Sequence, residues 1–431
     1  MRLQIKKLDK NSIFYYIIFE VSDRNELRRP VVNFNWFVAN KLVLKMKRVY
    51  LDNAATTLCD KRVVDAMIPF YTDKYAVASS QFSHSPGIES KEALDKARET
   101  IANKIGANPE EVIFTSGATE SNNMAIKGVA QANRTKGNHI ITSSVEHRSV
   151  REAIESLEKE GFRVTKLPVS NEGFISVDDL KESIRKETIL VSIQHANQET
   201  GTVHDIASIG SVCKEKSVIF HTDAALSFGR LPIDVKKEHI DLLSITAHLI
   251  HGPKGVGVLY IRDGIEIVKC MYGGFNEFNK RAGTENITGI VGFAKAVELI
   301  GPEEIKYIKK LKKRLYDGIT KRLDAVQLNG AQKESLPTIL NLTFRFVEGE
   351  SVILHLDMKG IAVITGSACF SRSLEPSYVL KAMGLSHEEA HGSIRFSFSR
   401  FNTEEEIDYT IDAVYDVVKK LREISPITPN K

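Results

Sequence analysis

From residue 111 onward, short runs of β-branched and other apolar residues alternate with stretches in which apolar side chains recur at helical spacing. The runs predict strands at 111–115, 139–144, 188–194, 217–222, 241–246 and 256–261, and the stretches between them predict helices at 119–133, 147–160 and 205–216. Ser176 with Asp179 reads as a capping box opening a further short helix. Thr188-Ile-Leu-Val-Ser-Ile-Gln194 is almost continuously apolar, as a strand buried on both faces of a parallel sheet is. The pattern is that of an α/β domain, whose ligand site lies at the C-terminal ends of the strands. A long helix is expected at 303–322. Mixed strands and helices follow, ending in a helix at 403–423 with Thr403 as N-cap ahead of three glutamates. The expected organisation is a large domain over 59–305 with a mostly parallel sheet, and a smaller α+β C-terminal domain over 306–431 joined by an arm, 46–58. Residues 1–45 show neither period and read as an N-terminal extension. Met46, which opens a strongly patterned segment, is a candidate alternative start of translation.

Composition narrows the classes of function. The chain has 431 residues, 42% hydrophobic and 26% charged, the balance of a folded globular protein. Fifty-nine basic against 55 acidic residues leave a net charge of +4, too small to argue for a nucleic-acid or membrane surface. Lys309, Lys310, Lys312 and Lys313 read as a solvated helix face beside Glu303 and Glu304. The apolar run Ile13 to Phe19 is far short of a membrane span. Cys59, Cys213, Cys270 and Cys369 form no C-x-x-C pair, so neither a disulfide framework nor an intrinsic metal site is expected, and a reducing cytoplasm is the default location.

Candidate chemistry collects at three strand ends. Phe114-Thr-Ser-Gly-Ala-Thr-Glu-Ser-Asn-Asn123 turns from strand to helix, and the amides near Ala118 and Thr119, with the Thr119 hydroxyl, suit a phosphate. An ordinary N-cap turn looks much the same. Asp223 ends the strand Val218-Ile-Phe-His-Thr-Asp, either as a plain helix cap or as a partner for a protonated ring nitrogen. Thr246 and His248 end the next strand as further phosphate donors, and His147 offers an imidazole able to stack on a ring. A phosphate cradle, a carboxylate and a stacking imidazole together suit pyridoxal 5′-phosphate (PLP) better than a nucleotide.

These residues, with Tyr-Leu-Asp-Asn-Ala-Ala-Thr-Thr at 50–57, Asn197, Gly-Pro-Lys-Gly at 252–255, Arg-Ala-Gly-Thr at 281–284, Gly-Ser-Ala-Cys at 366–369, Ser-Leu-Glu-Pro-Ser-Tyr-Val-Leu at 373–380 and Ser-Ile-Arg-Phe-Ser at 393–397, give the chain a resemblance to a known family. From Tyr50 to about Glu423 it resembles the cysteine desulfurases, class V enzymes of the fold-type I PLP group, which convert L-cysteine to L-alanine and enzyme-bound sulfur. The resemblance implies that Cys369 takes up the sulfur as a persulfide, and its loop of small polar residues suits an accessible thiolate. It also implies cofactor contacts from Ala118, Thr119, His147, Asn197, Asp223, Thr246 and His248, with His147 also catalytic. Asn197 and Arg395 would bind substrate, Arg395 through its guanidinium fork, although an arginine within a strand is equally a plain ion-pair residue. Thr284 would reach the phosphate in a partner subunit, which implies a homodimer. The expected partners are L-cysteine or sulfide and an iron–sulfur scaffold or other sulfur acceptor, with Cys369 the candidate transient cluster ligand and no direct nucleic-acid contact.

Two positions depart from the family. Its Schiff-base lysine follows the strand-end histidine, where this chain has Leu249, and its glutamine three residues past the aspartate is Leu226. Without an amine at 249 the cofactor is expected to be held non-covalently or not at all. A positioned proton-transfer group contributes roughly 10²–10⁴-fold, so turnover is expected to be crippled. The loop Ser79-Ser-Gln-Phe-Ser-His84 is also looser than the family's. Three functions follow: a desulfurase with a substitute for the missing amine; a non-catalytic homodimeric scaffold that docks an iron–sulfur scaffold protein and accepts or passes on sulfide; and, against the evidence of the Cys369 loop, an aminotransferase or lyase.

Overall fold

A computed structural model describes residues 2–7, 15–20, 48–366 and 376–425, with side chains from residue 48 onward. β1 (Arg2–Lys7) and β2 (Tyr15–Glu20) pair as an antiparallel hairpin where the sequence shows no clean period. β3 (Val49–Tyr50) follows and pairs in parallel with β13 (Ile361–Ala362).

The main sheet has seven strands: β4 (Val112–Thr115), β5 (His139–Ser143), β6 (Arg163–Leu167), β7 (Thr188–Ser192), β8 (Ile219–Asp223), β9 (Leu242–Thr246) and β10 (Gly257–Ile261). Their order is β4-β10-β9-β8-β7-β5-β6. β5 to β9 run parallel, while β10 lies antiparallel to both β4 and β9. A short return from β9 to β10 through 247–256 permits that reversal, since antiparallel neighbours need no crossover helix. Apolar cores line both faces: Ile141, Val191, Phe220, Ile245 and Phe293 lie in one, and Ile113, Met124, Ile140, Leu190 and Leu259 in the other. This two-sided burial explains why β7 reads as an unbroken apolar run.

A third core forms around the sheet of β11 (Val326–Asn329), β12 (Ile339–Phe344) and β14 (Ser393–Ser397). Leu342 and Phe396 pack there with Leu311 and Leu315 of helix Pro302–Thr320 and Val414 of helix Glu404–Ile424, and Val49 and Leu51 join them. Thr403 caps the last helix, its hydroxyl accepting from Glu406 N while the Glu406 carboxylate accepts from Thr403 N, a reciprocal capping box. Buried ion pairs join the third core to the main sheet's side. Arg400 reaches Asp60 at 2.7 Å and Glu304 at 2.8 Å, and Glu304 also pairs with Arg230.

Candidate functional site

A cavity of about 700 Å³ opens at the C-terminal ends of β7, β8 and β9 and is closed on the far side by β14 and the segment before residue 367. One wall is polar. The helix Ala118–Ala132 begins at Gly117, which makes no side-chain cap, so the Ala118 and Thr119 amides keep free donors at a positive helix end. Gly117 has φ +153° and Gly257 passes close against it: a Cβ on Gly257 would lie 2.6 Å from Gly117 Cα. The turn therefore requires two glycines, and its open side faces the Thr246 hydroxyl.

Asp223 ends β8, buried, with Oδ2 accepting from Asn122 Nδ2 at 2.7 Å and Oδ1 from Ala225 N at 3.0 Å. Asn122 Nδ2 also donates to Ser149 Oγ at 2.7 Å, and Ser149 Oγ lies 2.8 Å from His147 Nδ1. His147 thus serves as the N-cap of helix Arg148–Lys159 while its ring lines the cavity. This hydrogen-bonded chain fixes the imidazole relative to the carboxylate. His248 also lines the cavity, with Nδ1 3.3 Å from Thr56 Oγ1, and burial pushes its pKa down, with Lys254 adding to the shift.

The adjoining wall is apolar. Leu226 and Leu249 line it, both half-buried, and the Leu249 carbonyl accepts from Arg230 Nη2 at 3.2 Å. Lys254 also lines the cavity but is exposed.

Across the cavity stands Arg395 on β14. Its Nη2 pairs with Asp52 at 2.7 Å and its Nη1 donates to the Gln198 carbonyl at 2.8 Å. Arg395 Nε and Gln198 Oε1 are buried with no partner among the described residues. Both the ion-pair reading of Arg395 and a carboxylate-binding role are compatible with this arrangement, because an incoming carboxylate can take over the place of Asp52.

Asn197 is buried behind the wall rather than lining it. Its Nδ2 donates to the Val145 carbonyl at 3.1 Å, and its Oδ1 accepts from the backbone of Glu199 and Thr200. Thr284 is exposed and does not line the cavity of its own chain. The segment leading to it is held firmly. Arg98 grips Glu277 with two 2.8 Å bonds, keeping Glu277, Phe278 and Asn279 at positive φ, and Arg281 pairs with Glu120 at 2.8 Å. Cys369 lies outside the described residues.

Three groups at the site carry no assignment from the sequence reading. Burial pushes the Glu146 carboxyl up to about 8, although Ser143 Oγ and Gln194 N both donate to it. Burial likewise pushes Glu199 up to about 7. The Tyr378 hydroxyl donates to the Glu146 carbonyl at 2.6 Å, and Gln198 Nε2 donates to the Tyr378 oxygen at 3.1 Å. In the sequence, Tyr378 lies within the segment 373–380 and Glu146 directly before His147, while Glu199 stands two residues after Asn197.

Residues 49–410 match the aminotransferase class-V family, and the chain belongs to it. Within that family it sits among the cysteine desulfurases. It is 52% identical over 385 residues to cysteine desulfurase IscS of Dictyoglomus turgidum, covering 88% of this chain and 97% of that one. It is 49% identical over 388 residues to cysteine desulfurase IscS of Methanosarcina thermophila, covering 89% and 95%. A solved NifS-like protein superposes with a TM-score of 0.81 at 37% identity, over 87% of this chain and all of that one. SspA in complex with cysteine superposes with a TM-score of 0.75 at 38% identity, over 82% and 100%.

Proposed function

We propose that this protein mobilises sulfur for iron–sulfur assembly as a homodimer in the cytoplasm, with Cys369 carrying the sulfur, and that it holds PLP without a covalent bond. The observation that carries this reading is the contrast within one cavity: the groups suited to phosphate, ring nitrogen and carboxylate are present, while Leu249 stands where an amine would be. The donors at Ala118, Thr119 and Thr246 fit a phosphate, Asp223 a protonated ring nitrogen, and His147 a ring face. Bound there, PLP would supply an electron sink for bonds at the substrate Cα. Arg395 then orients the substrate carboxylate, His147 limits solvent at the ring face, and Asp223 holds a proton at the ring nitrogen. No side chain at 249 moves the Cα proton, so release of sulfur from free cysteine is slow. Transfer of sulfane sulfur from a donor persulfide is the principal route: the Cys369 thiolate attacks the donor's outer sulfur, the donor's S–S bond breaks, and the donor leaves as its thiol. Docking of an iron–sulfur scaffold follows from the same Cys369 segment.

The dimer reading is supported by large exposed side chains concentrated in two segments, with Tyr71, Tyr75 and Phe82 in one and Tyr272 and Phe275 in the other; Phe82 is 91% and Phe275 86% exposed. An apolar surface of this kind marks an interface. No helix among the described residues is long and apolar enough to cross a membrane.

The test is to mix purified protein with PLP and L-cysteine and measure sulfide and alanine. Turnover at least about a hundredfold below that of the Leu249→Lys variant is expected from the missing proton-transfer group. Equal turnover by parent and variant would overturn the reading.

A further inference from the structure

Arg395 Nε and Gln198 Oε1, buried without partners among the described residues, are of opposite kind: one donates and the other accepts. Their residues both line the cavity and are bonded to each other, Arg395 Nη1 donating to the Gln198 carbonyl at 2.8 Å. The orientation of the Gln198 amide follows from its neighbour. The Tyr378 hydroxyl spends its proton on the Glu146 carbonyl at 2.6 Å, so its oxygen is left to accept, and Gln198 Nε2 donates to it at 3.1 Å. Turning the amide over would set its carbonyl oxygen against an oxygen with no proton to give. Gln198 Oε1 is therefore the end left for something else. Leaving a buried donor and a buried acceptor unmet is costly. A ligand that carries both an anionic acceptor and a cationic donor relieves the two at once.

We propose that Gln198 reads the ammonium group of a free α-amino acid: the carboxylate takes Arg395 in place of Asp52, and the ammonium donates to Gln198 Oε1. The inference rests on the role proposed above for Arg395 toward a substrate carboxylate, and adds the group that tells an amino acid from other small carboxylic acids. The zwitterion suits the site because its two charges are carried on one carbon, as the two unmet atoms are carried by two residues in direct contact. On the apolar wall Leu226 and Leu249 offer the ammonium no acceptor from their side chains. Glu199 is the competing acceptor, since it too lines the cavity. Its Oε2 already accepts from Ser377 Oγ, and burial holds its carboxyl up at about 7, so near neutral pH it carries only part of a charge. The Gln198 amide accepts irrespective of pH.

The test is calorimetric titration of the full-length protein with L-alanine and with propionate, which share a carboxylate and differ in the ammonium. The parent is expected to bind L-alanine at least about tenfold more tightly, the weight of a hydrogen bond to a charged group. Gln198→Met should remove that preference and leave propionate binding unchanged, because the contact that holds Arg395 is made by the Gln198 backbone. Propionate binding thereby reports an intact site in each variant. Tyr378→Phe keeps the ring on which Arg151 stacks, 4.1 Å from its centroid, but frees the amide to turn. It should lower the preference in part, and lower it no further in combination with Gln198→Met. A parent that binds both ligands equally, a preference that survives Gln198→Met, or one lost in Glu199→Gln instead would each overturn the inference. If the parent binds neither ligand, or if Arg395→Met leaves both affinities as they were, the carboxylate-binding reading of Arg395 itself fails.

Discussion

The two walls of the cavity are carried by neighbouring strand ends and share one backbone scaffold, yet they differ in chemistry. On one, Ala118, Thr119, Asp223 and His147 are held by a glycine turn and a chain of hydrogen bonds. On the other, Leu226 and Leu249 face the same space. The Leu249 carbonyl accepts from Arg230, so the backbone presents position 249 to the cavity through a contact that does not involve its side chain. In the function proposed above, holding a cofactor and using it are separable, because the groups proposed for each sit on different walls.

Several changes break or sharpen that contrast. The largest effect is expected from Cys369→Ser, which should abolish sulfur delivery to a scaffold protein in a reconstituted assembly assay. Delivery equal to the parent would remove the shared basis of every sulfur-handling reading. Next is acid. Burial holds His195, His204 and His251 down at about 4 and His221 at about 3, against an ordinary 6.5. The unfolded chain takes up protons on these groups below about pH 6.5 while the native chain does not, so native stability falls as pH drops from 6.5 toward 4. Glu146 and Glu199, raised to about 8 and about 7, act in the opposite sense and cost stability as pH rises from 4.5 toward 8. Four histidines against two carboxyls place the expected maximum near pH 6.5, with the steepest loss below 4.5. Urea midpoints measured across pH check this, and a midpoint still climbing from pH 6.5 to 8 would contradict it.

On the polar wall, Asp223→Ala should weaken PLP retention by about tenfold to a hundredfold, the weight of a hydrogen bond to a charged group. On the apolar wall, Leu226→Gln should tighten it by only about fivefold, that of a neutral one. Fluorescence titration with PLP ranks the two, and comparable effects would mean that the walls are not distinct.

Much of this was legible in the sequence because burial on both faces writes itself as apolar runs. β4, β5, β7, β8, β9 and β10 all fall within a few residues of their expected places. Direction was not legible: β10 reads like its neighbours but runs antiparallel, since an apolar run carries no sign. β6, Arg-Val-Thr-Lys-Leu, went unread because an edge strand buries little. The helix Ser85–Ile105 went unread because its buried face includes Gly87, Ser90 and Ala97 in place of large apolar residues. At the site, motif order pointed to Thr119, Asp223 and His147. The engagement of Asn197 by its own turn and by the Val145 carbonyl 52 residues away carries no motif of its own, and the convergence of Gly366 and Ser377 on Glu199 depends on contacts between residues more than 150 apart.

The separation of holding from using is tested most directly by incubating the parent and Leu249→Lys with PLP, reducing with borohydride, and mapping the attachment by mass spectrometry. The expected result is PLP that binds the parent but is released on denaturation, and PLP joined to residue 249 in the variant. Attachment of PLP to Lys254 in the parent, or none at residue 249 in the variant, would contradict it.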